Sequence, residues 1–125
     1  MNLLLDTHTL IWALENHPAL SVDARDAIID GGNMVFVSSV SAWEISIKKA
    51  MGKLKAPDNL AEEIKLHRFT WLNINFDHAK LAGELPDIHK DPFDRMLIAQ
   101  AIIEKLTLVT GDSQIAKYDV SLLKA

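Results

Sequence analysis

The sequence predicts an α/β fold, a three-layer α/β/α arrangement around a central parallel sheet. Two observations carry that expectation. Short apolar runs such as Leu3-Leu4-Leu5, Val35-Phe36-Val37 and Leu108-Val109 are too brief for helices, and stretches with helical spacing alternate with them. Alternation of this kind builds βα units, whose strands are buried on both faces and therefore read as unbroken apolar runs. Carboxylates also fall at or just after the ends of these runs, where an open parallel sheet gathers its ligands.

Taken in order, Asn2 to Leu5 is the first strand, and a helical stretch from about Thr9 to Leu14 ends near Asn16-His17-Pro18, because proline disfavours helix for the residue before it. Ser21 is placed to cap a second helix that Gly31-Gly32 stops near Asp30. Met34 to Val37 is the second strand. Val40, Trp43, Ile47, Ala50 and Met51 then recur at helical spacing up to Gly52. Asn59 to about His67 is a further helix, Trp71 to Ile74 a short strand, and Asp77 to Leu85 a helix halted by Pro86. The most helical segment runs from Phe93 to Lys105. Thr107 to Thr110 is another buried strand, Ser113 to Lys117 a brief helix, and Val120 to Leu123 the last strand.

A chain of 125 residues, 49% hydrophobic and 24% charged, has the size and composition of one soluble domain, and residues 1–125 are taken as one unit without repeat or linker. With no cysteine, disulfide scaffolds, thiolate metal sites and cysteine nucleophiles are excluded, and a reducing cytoplasm is the expected location. The start Met-Asn-Leu-Leu-Leu-Asp lacks a basic segment and meets an acid after three leucines, so no signal peptide is expected. No run approaches the roughly 18 residues of a membrane span. A net charge of −4 argues against broad electrostatic capture of nucleic acid, so any such chemistry depends on a local basic face or on bound cations.

The acids are the informative residues. Asp6 directly follows the first strand, Glu44 lies in the opening turns of the helix after the second, Asp94 opens the long helix, and Asp112 follows Leu108-Val109-Thr110-Gly111. Each has an ordinary reading: Glu44 and Asp94 complement a helix macrodipole, Asp112 serves a turn, and only Asp6, abutting a buried strand, demands a partner. Together they describe an acidic pocket at the carboxyl ends of the strands. Carboxylates in one pocket raise one another's pKa, so a cation is expected to neutralise them, and an all-oxygen set suits Mg²⁺ or Mn²⁺ rather than zinc. Such an ion activates water and polarises a phosphoryl oxygen. A Mg²⁺-dependent phosphatase with Asp6 as nucleophile stays open, although His8 stands where a second acid is normally wanted. A regulatory or binding module without catalysis also stays open. A dinucleotide-binding domain is disfavoured, since no Gly-x-Gly follows the first strand.

Four segments, Leu-Leu-Asp-Thr-His at 4–8, Val-Ser-Ala-Trp-Glu-Ile at 40–45, Asp-Pro-Phe-Asp-Arg-Met-Leu-Ile-Ala-Gln-Ala at 91–101 and Leu-Val-Thr-Gly-Asp at 108–112, give the chain a specific resemblance. In this order and spacing it resembles the PIN domain nucleases, and more narrowly the VapC-type toxins of bacterial toxin–antitoxin pairs. The resemblance implies a parallel sheet in strand order 3-2-1-4-5, Mg²⁺ or Mn²⁺ dependence and RNA cleavage. It further implies a homodimer neutralised by a small cognate antitoxin. By position, Asp6, Glu44, Asp94 and Asp112 match the family's acidic quartet, catalytic and metal-binding alike.

Other residues are read more plainly. Asp91 either touches the ion or is a helix N-terminal acid before Pro92. Thr7 and Ser39 either orient the metal's ligands or cap helices, and capping is the expected role of Ser39 or Ser41. Arg95 pairs either with a phosphate or with a neighbouring acid. His8 and His89 receive no role. Trp12, Trp43 and Trp71 are expected in core or interface packing, and Leu10, Ile11 and Leu14 as core residues or as part of a partner surface. Lys48, Lys49, Lys53 and Lys55 form a basic cluster that is either a solvated face or a guide for an RNA backbone.

Overall fold

A computed structural model describes residues 1–125. Five strands, β1 (Asn2–Leu5), β2 (Met34–Ser38), β3 (Thr70–Leu72), β4 (Thr107–Thr110) and β5 (Leu122–Lys124), pair in parallel in the order β3-β2-β1-β4-β5. Six helices accompany them: α1 (Thr7–Glu15), α2 (Val22–Ile29), α3 (Ser39–Ala50), α4 (Leu60–Leu66), α5 (Phe76–Glu84) and α6 (Pro92–Glu104). This is the expected architecture and strand order.

The pleat sorts the apolar strand residues into two cores. Leu3, Leu5, Val35, Val37 and Val109 face one side and pack with Leu10, Ile11, Leu20, Ala24 and Ile64. Leu4 and Leu108 face the other and pack with Leu97, Ile98, Ala101 and Ile115. Period-two alternation thus explains why a strand buried on both faces must be apolar at every position. Fully burying each leucine contributes roughly 2 kcal/mol, and the three leucines of β1 are all fully buried at the sheet's centre. Because β1 has β2 on one side and β4 on the other, the chain's direction of progress reverses there, opening a crevice at the strands' carboxyl ends.

Three expectations need correcting. α1 begins at Thr7, not Thr9, because Asp6 caps it: its Oδ1 accepts the Thr9 amide at 2.8 Å. The outer strands are shifted, β3 to Thr70–Leu72 and β5 to Leu122–Lys124. Each has a single neighbour, so pairing with that neighbour, rather than apolar pattern, sets its ends. The segment after Asp112 forms only a 3₁₀ turn at Ile115–Lys117. Of the two readings for the tryptophans, Trp12 packs against the first core, whereas Trp43, 61% exposed, and Trp71, 37% exposed, lie outside both cores, where only the interface reading is left to them. The buried side of α3 is carried by Val40, Ser41, Glu44 and Ile45, and Trp43 points away from it, edge-on against Phe93 at 5.3 Å. Leu10 and Ile11 are buried, so they serve the core and not a partner surface. No helix is long and apolar enough to cross a membrane.

Candidate active site

Asp6, Glu44, Asp94 and Asp112 line one cleft of about 490 Å³ at the carboxyl ends of β1 and β4, together with Thr7, His8, Trp12, Lys48, Lys53 and Asp91. Residues separated by as many as 106 positions meet there because β1 and β4 are neighbours and both stop at the crevice. The register sets Leu5 against Val109, so Asp6 comes level with Thr110. The Asp6 amide donates to the Val109 carbonyl at 3.1 Å, and the Thr110 hydroxyl donates to Asp6 Oδ2 at 2.5 Å. With Oδ1 committed to the Thr9 amide, Asp6 is buried and fixed through both oxygens, each still able to accept once more.

Glu44 is buried in the same wall. The Thr7 hydroxyl donates to its Oε1 at 2.6 Å, and Lys48, one turn along α3, forms an ion pair with Oε2. That hydrogen bond and charge pull the Lys48 pKa above its ordinary value. α3 itself is capped by Ser38, whose hydroxyl accepts the Val40 amide at 3.0 Å. The expected capping by Ser39 or Ser41 is therefore corrected: Ser39 donates instead to the Asn73 side chain, and the Ser41 Oγ lies 3.0 Å from the Thr7 hydroxyl oxygen.

Asp94 sits in the first turn of α6. Asp91 caps that helix, its Oδ1 accepting the Phe93 amide at 2.8 Å and the Asp94 amide at 3.2 Å, while Pro92 supplies a preset φ at the first helical position. Burial pushes the Asp94 pKa up to about 6; a hydrogen bond from His89 opposes the rise, and repulsion from Asp91 and Asp6 adds to it. Asp112 leaves β4 after Gly111, its Oδ1 accepting the Gln114 amide at 2.8 Å.

Sequence reasoning gave His89 no role, yet its Nε2 lies 2.8 Å from Asp94 Oδ2 and 3.4 Å from Asp112 Oδ2. Nothing in its spacing announced this, since it stands in a loop and not on a periodic element. Arg95, expected to pair with an acid or a phosphate, forms no ion pair with an acid. Its guanidinium donates to the carbonyls of Ala82, Leu85, Pro86 and His89 and so pins that loop against the start of α6. Thr110, which carries Asp6, was likewise missed.

The donor chemistry suits a divalent cation. One ligand atom each from His89, Asp94 and Asp112 lie within 4.8 Å of one another. Asp6 is close enough to raise the Asp94 pKa, and Glu44 lies in the same cleft but already carries Lys48. An ion there would relieve the repulsion that Asp94 registers.

A parallel sheet of order 3-2-1-4-5 with an acidic cleft at its reversal point defines the class: residues 3–121 match the PIN domain, and the chain belongs to that family. Within it, the chain is 35% identical over 72 residues to ribonuclease VapC16 of Mycobacterium tuberculosis. That similarity covers 53% of this chain and spans about half the length of the curated relative, 51%. The fold is shared with VapBC2 of Rickettsia felis bound to a promoter DNA fragment, at TM-score 0.73 and 21% identity over 100% of this chain and 99% of that one. It is shared too with DNA-bound VapBC of Salmonella typhimurium, at TM-score 0.70 and 21% identity over 99% and 98%.

Proposed function

We propose that the protein is a divalent-metal-dependent endoribonuclease and the toxin of a toxin–antitoxin pair. The observation that carries this reading is the convergence of Asp6, Glu44, Asp94 and Asp112, from four separate segments, on one cleft with Lys48 and Lys53 at its side. The family and the similarity to a ribonuclease support it. The reaction would be hydrolysis of an RNA phosphodiester by water, and a bound Mg²⁺ or Mn²⁺ would supply charge neutralisation and acidify a water. Asp94 and Asp112 would hold that ion, with Asp6 completing the set.

The remaining residues position and neutralise. Thr110 and the Thr9 amide fix Asp6 through both oxygens, which suits an anchored ligand better than the free nucleophile of an aspartyl phosphatase. Glu44, held by Thr7, would complete the metal's shell or orient the attacking water. Lys48 and Lys53 face the cleft and would meet the phosphate backbone, whereas Lys49 is paired with Asp58 at 2.7 Å. Of the four basic residues, Lys48, paired with Glu44, and Lys53 line the cleft, Lys49 forms a surface ion pair, and Lys55 is exposed outside the lining.

The similarity to VapBC complexes supports a protein antitoxin as partner, and the proposal extends to a homodimer acting in the cytoplasm. The test is cleavage of a mixed RNA substrate by purified protein. Activity is expected with Mg²⁺ or Mn²⁺ and none after EDTA; full cleavage after exhaustive chelation would rule out the metal mechanism.

A further inference from the structure

We propose that His89 is itself a metal ligand, giving this centre one nitrogen donor and a preference for Mn²⁺ over Mg²⁺. The inference rests on the reading of the cleft as a metal centre and deepens it. Three observations support it. Nε2 is the imidazole atom that faces the acids, 2.8 Å from Asp94 and 3.4 Å from Asp112, and the three ligand atoms fall within 4.8 Å of one another. Ligands that share one ion with bonds of about 2.1 Å lie roughly 3 to 4.2 Å apart, so the cluster needs only small adjustment.

The residue is also held where it stands. Its amide donates to the Tyr118 hydroxyl at 2.8 Å, its carbonyl accepts from Arg95 at 3.1 Å, and Tyr118 in turn donates to the Pro86 carbonyl at 2.8 Å. Tyr118 is buried and Arg95 half-buried, so the loop is fastened at both ends of its short span. A histidine serving only as a solvated loop residue would not require a buried tyrosine and a four-carbonyl arginine beneath it. Finally, the ring is half-buried at the edge of the cleft, with its side chain 18% exposed. It therefore reaches the acids while leaving the cleft's mouth to substrate.

The consequence follows from ligand type. Mg²⁺ is a hard ion that takes oxygen and keeps its waters, whereas imidazole suits the transition ions, Mn²⁺ being the weakest binder among them. A histidine that merely donated a hydrogen bond to Asp94 would affect both ions alike.

The test is made on the full chain. Mn²⁺ affinity is read from the free-ion EPR signal and Mg²⁺ affinity by competition. Pulsed EPR of bound Mn²⁺ reports directly coordinated ¹⁴N. In the wild type we expect ¹⁴N modulation and a Mn²⁺ preference of at least about tenfold. In His89→Ala and His89→Gln, both checked for folding by circular dichroism, the modulation should vanish and the preference should fall to about threefold or less, with Mg²⁺ affinity nearly unchanged. Because His8 also lines the cleft, His8→Ala is measured beside them, and the modulation should survive there while it is lost in the His89 variants; a wild-type spectrum without ¹⁴N decides against His89 whatever the variants do. Bound Mn²⁺ without ¹⁴N modulation, or a preference equal in wild type and variants, overturns the inference. Cleavage of RNA by the same samples separates this from the broader reading: metal-dependent cleavage without ¹⁴N coupling sinks the His89 assignment alone, while cleavage unaffected by chelation sinks the metal centre and the assignment together.

Discussion

Helix α6 carries a histidine–carboxylate pair at each end, and the two behave as opposites. At its start, His89 meets Asp94 at 2.8 Å beside a cleft that holds several further acids. At its far end, His78 of α5, fully buried, faces the partly exposed Glu104 at 3.7 Å, beyond hydrogen-bond reach. His78 Nδ1 accepts the Asn75 amide at 3.2 Å within a reciprocal cap of α5, and the Gln100 amide lies 3.3 Å from the same atom. With Nδ1 accepting, the proton sits on Nε2, which is buried and has no partner. The difference is one of company. A pair among like charges facing open space is arranged for a ligand, whereas a buried histidine that closes a helix cap with Asn75 is arranged for packing. The two ends should therefore fail differently: the start in chemistry, the end in stability.

The largest effect belongs to Asp94→Asn. It keeps shape and removes one charge, and RNA cleavage should fall by at least about 10³-fold, or roughly 4 kcal/mol of transition-state stabilisation, read as kcat/KM on a defined RNA. The metal-free protein should lose no stability. Cleavage within tenfold of wild type would place the chemistry elsewhere.

Next comes His78→Ala at the other end. Loss of a buried ring and of one half of a helix cap should cost about 2–4 kcal/mol in urea unfolding. Affinity for Mg²⁺ in the folded protein should stay within about twofold, because nothing connects His78 to the cleft. A large loss of metal affinity with little loss of stability would erase the distinction between the two ends.

How much of this was legible in the sequence follows from the same contrast. The apolar runs of β1, β2 and β4 declared themselves because central strands must be apolar on both faces. The edge strands β3 and β5 blurred, since a single neighbour constrains them. The quartet was legible because Asp6 and Asp112 are tied to strand ends and Glu44 and Asp94 to helix starts, positions that periodicity locates. His89 was not, because loop residues carry no period, and only the path of the chain under Arg95 and Tyr118 returns it to the acids. Ser38 was overlooked as a cap because three serines lie within four residues and only φ and ψ decide which one stands outside the helix.

A third prediction concerns pH. The folded-state pKa of Asp94 is raised to about 6, mainly by burial, above the ordinary value of 3.8. A raised carboxyl contributes stability below the unfolded value, and that contribution is lost as pH climbs through about 6. Relative to Asp94→Asn, the metal-free wild type should therefore lose roughly 1–3 kcal/mol between about pH 4 and pH 7. Metal affinity should move the other way and rise across pH 6, because the ligand must be ionised. Parallel stability curves for the two proteins from pH 4 to 7 would show that Asp94 titrates normally and is not crowded by Asp91 and Asp6.

The smallest effect tests the side of the cleft rather than its floor. Lys53 is exposed, lines the cleft beside Lys48 and has no ion-pair partner, while Lys49 is engaged with Asp58. If Lys53 meets RNA phosphate, Lys53→Ala should raise KM about two- to fivefold with kcat unchanged, since a contact made equally in ground and transition states alters binding alone. It should also flatten the fall of affinity with salt, because one fewer counterion is released on binding. Lys49→Ala is the matched control: it removes the same charge one helical turn away, outside the cleft, where only a weak surface ion pair is lost, so KM and salt slope should stay near wild type. Measuring KM at several salt concentrations for the three proteins decides the matter. Equal salt slopes in Lys53→Ala and Lys49→Ala would mean that the chain's general charge, not the cleft lysines, governs RNA approach.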